Sequence, residues 1–316
     1  MSKILILSDD TFEFTPAMLM RISEQGAEVE YYPAATAKNI ESAEIIFGCP
    51  PVEILKSAYV LEWHHLPNAA IQPYISPALY ANTGIMLTNS SGVYGEIIGE
   101  HIVAQVFALA RNFPLYAKQQ REQIWGRDNE SARWVGGSTA AIFGLGDLGK
   151  NAAQRLKALG VHTIGVRRSL FDKPPYVDEI YDMRSMDTVL NRADFVICCL
   201  PLTDTTMGLF GTREFELMNP WAYFINVGRG AIADTDALVD VLQSKRIAGA
   251  ALDVTDPEPL PEGHPLWELD SVIITPHSSC VCPDIQDRKL ELFLEQLKRY
   301  QTGRTLKNMV NFMQGY

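Results

Sequence analysis

Three side chains that can hold or move charge stand just beyond apolar runs in the second half of the chain. Arg229 lies between Gly228 and Gly230, directly after the run Tyr223 to Val227. A guanidinium on such a turn offers a planar fork of donors that matches a carboxylate and the carbonyl beside it. Structural ion pairing is the other use of the same group. His277 follows Val272 to Thr275 and Pro276. Its imidazole can exchange a proton near neutral pH, although a single histidine read by itself is more commonly a satisfied structural group. Glu258 stands between Pro257 and Pro259, whose fixed φ angles limit the directions its carboxylate can take. Alone, it reads as an ordinary solvated loop glutamate.

A second set of residues can hold a dinucleotide. Gly144-Leu145-Gly146-Asp147-Leu148-Gly149 follows the apolar run Ala140 to Phe143. It opens a helix with the face Ala152, Ala153, Leu156 and Leu159, which Gly160 closes. Gly144 and Gly146 allow a tight turn and close approach of a pyrophosphate, whose charge the free N–H groups of Asp147 and Leu148 stabilise at the helix start. A glycine turn that merely packs a helix on a strand is the alternative, and the strand–turn–helix context disfavours it. The next strand, Val161 to Val166, ends at Arg167-Arg168-Ser169, with Arg167 placed 18 residues beyond Gly149. An acidic residue there would accept from the adenine ribose hydroxyls. Two guanidiniums and a hydroxyl instead suit a 2′-phosphate, so the reading is NADP(H) in preference to NAD(H). A solvated basic pair is the competing view.

These residues need strands and helices to position them. Up to about residue 95, short apolar runs (Ile4 to Leu7, Val29 to Tyr32, Glu44 to Phe47, Ile85 to Thr88) alternate with helical segments. Ile97 to Phe113 reads as a long helix ending before Pro114, followed by a polar segment with Trp125 and Trp134. Strand candidates then recur at 140–143, 161–166, 195–200, 223–227, 248–254 and 272–275, separated by helices. Nearly continuous apolar strands of this kind imply parallel sheets buried on both faces. Ile285 to Tyr300 has helical spacing and is long enough to return to the first domain. The expected class is α/β with parallel sheets in two domains, one of 1–96 plus 286–316 and one of 97–285 that carries the glycine run.

Composition bounds the partners. The 316 residues suit two domains of roughly 150 residues each. With 38 acidic residues against 27 basic ones, a net charge of −11 repels nucleic acid and anionic membrane. No apolar run approaches the roughly 18 to 20 residues of a spanning helix, and the start lacks a signal-peptide pattern, so the expected location is cytoplasmic. Five cysteines, two of them adjacent at 198 and 199, argue against a disulfide framework. Cys280 and Cys282 have no second ligand pair nearby, so no metal is expected.

The chain resembles the D-isomer-specific 2-hydroxyacid dehydrogenases over nearly its whole length. The resemblance rests on Thr88-Asn89, the helix from Glu100 to Arg111, the glycine run, Leu200-Pro201-Leu202-Thr203 with Thr206, Asn226 to Gly230, Asp253, Glu258 and Pro276-His277. It implies two Rossmann-like domains with cofactor and active site in the cleft, and catalytic roles for Arg229, Glu258 and His277. His277 would give a proton to the carbonyl oxygen as hydride arrives, Glu258 would hold the imidazole, and Arg229 would bind the 2-oxo acid. Further cofactor contacts are implied for Pro201, Thr206, Val227, Gly228, Asp253 and Ser279. The family's carboxylate-binding glycine turn corresponds to Ala69-Ala70-Ile71, which makes Ala70 and Ile71 the substrate-binding candidates of the first domain. Two departures stand out: that turn lacks its glycine, and Ser278-Ser279-Cys280 follow His277 where the family has small residues including Gly or Ala. Relatives that use formate carry an amide where Glu258 stands, which argues against formate oxidation. The resulting expectation is an NADPH-preferring, homodimeric reductase of a 2-oxo acid whose side chain the sequence leaves open. Its rival is a nucleotide-sensing, corepressor-like binding protein on the same fold; net charge and the lack of interaction tails oppose it.

Overall fold

The computed structural model describes residues 2–8, 12–33, 36–127, 131–168, 170 and 172–313. In chain order its regular elements are β1 (Lys3–Leu7), α1 (Pro16–Ser23), β2 (Glu28–Tyr32), α2 (Ala37–Ile40), β3 (Ile45–Phe47), β4 (Trp63–Leu66), β5 (Met86–Asn89), α3 (Gly95–Ala110), α4 (Phe113–Glu122), β6 (Thr139–Phe143) and α5 (Asp147–Ala158). They continue as β7 (His162–Val166), β8 (Glu179–Tyr181), α6 (Met186–Leu190), β9 (Phe195–Cys198), α7 (Thr212–Leu217), β10 (Tyr223–Asn226), α8 (Thr235–Gln243), β11 (Gly249–Leu252), β12 (Val272–Ile274) and α9 (Ile285–Gln301). The chain divides into two compact units, Met1–Val93 with Cys282–Tyr316, and Tyr94–Val281. Both are parallel sheets covered by helices, the α/β class that the strand pattern implies.

The first unit is a five-stranded sheet of order β2-β1-β3-β4-β5. Successive side chains of a strand face opposite ways, so β1 feeds two cores at once. Ile4 and Ile6 pack with Met18 and Ile22 of α1 and with Phe293 and Leu297 of α9, whereas Leu5 and Leu7 join Ile40, Leu66 and Leu87 on the other side. The ring of Phe293 stacks on Phe47 at 4.1 Å, which ties α9 to this sheet.

The second unit has seven strands in the order β12-β11-β10-β9-β6-β7-β8. From β6 the chain builds outward through β7 and β8, then returns to β9 on the other side of β6 and builds away again. The order therefore reverses between β6 and β9, and in open parallel sheets ligands bind beyond the carboxyl ends of the strands at such a point. The glycine run leaves from one of those two strands and Pro201 follows the other.

One local expectation is corrected. Pro114 does not follow the end of one long helix; α3 stops at Ala110, Asn112 takes φ 58°, and Pro114 sits in the first turn of α4. A proline is tolerated there because its missing N–H has no helical partner to lose. His64 and His65 lie in β4, fully buried. The edge strand β8 was not anticipated. No helix of the described residues is long and apolar enough to cross a membrane, and none of the five cysteines is in a disulfide.

Candidate active site

The glycine run is shaped by three different steric demands. Gly144 has φ 93°, and a Cβ there would lie 2.9 Å from the carbonyl oxygen of Cys199. A Cβ on Gly149 would come to 1.8 Å from the Gly144 carbonyl, so only glycine lets α5 start against the end of β6. Around Gly146 the opposite holds, for a Cβ would meet nothing within 4 Å. That open surface sits at the N-cap of α5, which no side chain caps. Backbone donors with open space before them fit a pyrophosphate. The carboxylate of Asp147 is not part of that surface; its Oδ2 accepts from Gly95 N at 2.8 Å and fixes the start of α3. Asp147 can therefore serve an anion only through its main chain, as can Leu148.

At the end of β7, the N–H of Arg167 donates to Tyr181 O at 3.0 Å. Its guanidinium Nη2 donates to the carboxylate of Asp172 at 2.7 Å and also to the Asp172 carbonyl. Arg168 is exposed, and Ser169 lies outside the described residues.

The Arg229 turn is clamped by one side chain. Asn226, 1% exposed, accepts from Gly228 N at 3.0 Å through Oδ1 and donates to Arg229 O at 3.0 Å through Nδ2. A Cβ on Gly228 would meet Leu200 O at 2.6 Å and one on Gly230 would meet Thr255 O at 1.9 Å, so both glycines are demanded by close backbone approach. Val227 is buried, and the half-buried Arg229 donates from Nη1 to Gly228 O at 2.6 Å. Asn226→Asp keeps the shape but loses the donor to Arg229 O. The expected result is a loss of about 1 to 3 kcal/mol in the unfolding of this unit, read from denaturant midpoints; an unchanged midpoint would show that the clamp does not hold the turn. After β9, the Thr206 hydroxyl donates to Pro201 O at 2.7 Å and accepts from Thr203 N at 2.8 Å, which closes that loop.

Asp253 organises the opposite side. Only 2% exposed, its Oδ1 accepts from the Thr275 hydroxyl at 2.7 Å, Ser278 N at 2.9 Å and Ser279 N at 3.1 Å. Burial pushes its carboxyl upward, but the donors from Ser279, Thr275 and Ser278 outweigh that and hold it below the usual carboxylate value. The same residue's carbonyl accepts from His277 N at 2.9 Å. His277 itself has φ 49°, in the left-handed region that side chains seldom adopt. With its backbone so held, its Nδ1 lies 2.6 Å from Glu258 Oε1. The carboxylate accepts the Nδ1 proton, which leaves Nε2 as the ring nitrogen available for proton transfer.

One contributor was not singled out from the sequence. His101 of α3 places Nε2 at 3.3 Å from the Thr275 hydroxyl and 3.9 Å from Asp253 Oδ1, with Gln105 at 2.9 Å. Burial lowers its affinity for a proton while the Asp253 charge opposes that. Nothing in the sequence signals the contact, because the partners are 174 residues apart. In the first unit, Ala70 is exposed and Ile71 is in the core, its carbonyl accepting from Tyr74 N at 2.7 Å. The Asn89 amide donates to Ala69 O at 3.0 Å. This turn therefore presents backbone rather than side-chain groups at Ala70 and Ile71.

Comparison with known proteins agrees with the geometry. Residues 103–279 match the family model for the D-isomer specific 2-hydroxyacid dehydrogenase, NAD binding domain. An uncharacterized protein of Corynebacterium melassecola is 35% identical over 238 residues, which is 72% of this chain and 75% of that protein. A glyoxylate reductase of Aeropyrum pernix is 34% identical over 238 residues, 72% of this chain and 70% of the relative. Among solved structures, a D-isomer specific 2-hydroxyacid dehydrogenase from Xanthobacter autotrophicus Py2, in complex with NADPH and MES, superposes with a TM-score of 0.86 at 25% identity over 100% of both chains.

Proposed function

The chain belongs to the D-isomer-specific 2-hydroxyacid dehydrogenase family, and from that premise we propose that it reduces a small 2-oxo acid to the D-2-hydroxy acid with NADPH. The observation that carries the mechanism is the 2.6 Å bond from His277 Nδ1 to Glu258, set at strand ends in the same unit as the glycine-held Arg229 turn. The reduced nicotinamide, when bound, supplies the hydride. The backbone at Gly144 to Gly149 holds the pyrophosphate, and the loops at Pro201–Thr206, Val227–Gly228 and Asp253–Ser279 border the nicotinamide. Arg229 binds the substrate carboxylate and polarises the 2-oxo group with its fork of donors. His277 releases a proton from Nε2 to the carbonyl oxygen, and Glu258 steadies the imidazolium before that transfer. Homodimeric assembly and a cytoplasmic location belong to the same reading, and analytical sedimentation tests the first.

Oxidation of NADPH against a panel of glyoxylate, pyruvate, hydroxypyruvate and bulkier 2-oxo acids tests the reaction; turnover of none of them overturns it. The cofactor half has its own outcome. Arg167 and Arg168 favour a 2′-phosphate, and two charge-assisted bonds contribute about 3 to 6 kcal/mol. Wild type is expected to show a higher kcat/KM with NADPH than with NADH. Arg167→Asp is expected to reverse that order by at least a hundredfold change in the ratio, because it adds repulsion for the phosphate and an acceptor for the ribose hydroxyl. A wild-type preference for NADH withdraws the NADPH assignment and leaves the hydride chemistry standing.

A further inference from the structure

We propose that Asp172 is a built-in competitor for the 2′-phosphate at Arg167 and thereby sets how strongly the protein distinguishes NADPH from NADH. The inference rests on the reading that Arg167 receives that phosphate. The root of the arginine is fixed, since its N–H is bonded to Tyr181 O at the end of β7. Its guanidinium is already occupied: Nη2 donates to the carboxylate of Asp172 at 2.7 Å and to the carbonyl of the same residue. The occupation is incomplete, because Arg167 Nε is buried without a partner.

The edge formed by Nε and Nη2 is the one on which a guanidinium takes two oxygens of a carboxylate or phosphate in parallel. Asp172 brings one carboxylate oxygen to Nη2 and leaves Nε unspent, so it is an imperfect stand-in for the anion that the edge fits. A phosphate has oxygens for both donors and would satisfy the buried one as well. Asp172 is 76% exposed at its side chain, so its carboxylate can swing into water when displaced. Exposed pairs of this kind contribute little to stability, and the fold does not depend on it. NADH carries no phosphate at the ribose and leaves the pair undisturbed. NADPH must break it and then tolerate a displaced carboxylate nearby, so the competition weighs on NADPH alone.

The test is a fluorescence titration of the full-length protein with NADPH, NADH and adenosine 2′-monophosphate, for wild type, Asp172→Asn and Asp172→Ala. Both variants are expected to bind NADPH and adenosine 2′-monophosphate roughly five- to tenfold more tightly, with NADH unchanged and the gain shrinking as salt rises. If wild type prefers NADPH and the variants bind it equally or less well, Asp172 is not a competitor and the inference falls while the phosphate reading survives. If wild type and both variants bind NADPH and NADH alike, Arg167 receives no phosphate and the reading fails together with the inference. Equal binding in wild type that becomes NADPH preference in the variants supports the proposal, since it shows the carboxylate masking the site.

Discussion

Replacing His277 by alanine is expected to lower kcat for 2-oxo acid reduction by roughly 10²- to 10⁴-fold while leaving the Kd for NADPH nearly unchanged, because positioned proton transfer contributes that much, whereas the glycine run and the end of β7, which hold the phosphates in the proposed reading, keep all their groups. The size follows from the arrangement around the ring. Glu258 engages Nδ1, and the His277 N–H is bonded to both Asp253 O and Thr275 O at 2.9 Å, so the imidazole is already held in one orientation. Water replacing it would have neither its orientation nor its charge partner. Alanine at φ 49° adds backbone strain, so His277→Asn serves as the companion variant, since asparagine tolerates that region. Both variants are expected to lose turnover alike. Near-wild-type kcat in either one would remove the histidine from the chemistry, and a matching loss of cofactor affinity would point to collapse of the loop instead.

What the sequence made legible follows from how local each signal is. The run Ile4 to Leu7 reads as a buried strand because every residue is apolar and both faces of β1 are covered. The glycines at 144, 149, 228 and 230 are legible because the contacts that demand them arise where loops leave parallel strands. By contrast, β4 is Trp-His-His-Leu, and two imidazoles look polar until their partners are known. Pro114 reads as a stop signal, yet a proline in a first turn opens a helix, and only the left-handed Asn112 before it decides between the two. The bond between Glu258 and His277 spans 19 residues and the crossover from β11 to β12, so no periodicity announces it. His101, on a helix of the same unit, and Asp172, held by Arg167, act through contacts that only the folded chain creates.

The buried pair in β4 leads to the other large effect, on stability rather than turnover. Trp63 Nε1 donates to the Thr88 hydroxyl at 2.8 Å, so Thr88 turns its own proton to His65 Nδ1 at 2.7 Å. The proton on His65 then belongs on Nε2, facing Ser90 Oγ at 3.3 Å, and Ser90 donates onward to Leu66 O at 3.0 Å. Every link in this chain runs one way, and a second proton on the ring would oppose the Thr88 hydroxyl. His64 is fixed likewise, with Nε2 donating to Gly48 O at 2.9 Å and Nδ1 accepting from Tyr80 OH at 3.0 Å. Burial pushes His64 down to about 4 and, aided by the charge of His64, pushes His65 down to about 3, from 6.5. The folded state therefore refuses protons that the unfolded chain accepts. Stability of this unit is full above pH 6.5 and falls as pH drops, until His64 and then His65 can be protonated in place. Across the window from 6.5 to about 4 the two rings together impose a slope of about 2.7 kcal/mol per pH unit, or about 4 kcal/mol between pH 7 and pH 5. His64 and His65 are the only histidines of this unit and Trp63 its only tryptophan. Asp178, bound by Lys157 and held at about 2, lies in the other unit and responds only at more acid pH. Urea unfolding followed by the fluorescence of the buried Trp63 is thus expected to show this steep loss between pH 7 and pH 5, halved in His65→Gln. A midpoint that stays level over that range would mean the rings are charged in the folded state or reached by water, and the one-way chain from Trp63 to Leu66 would be wrong.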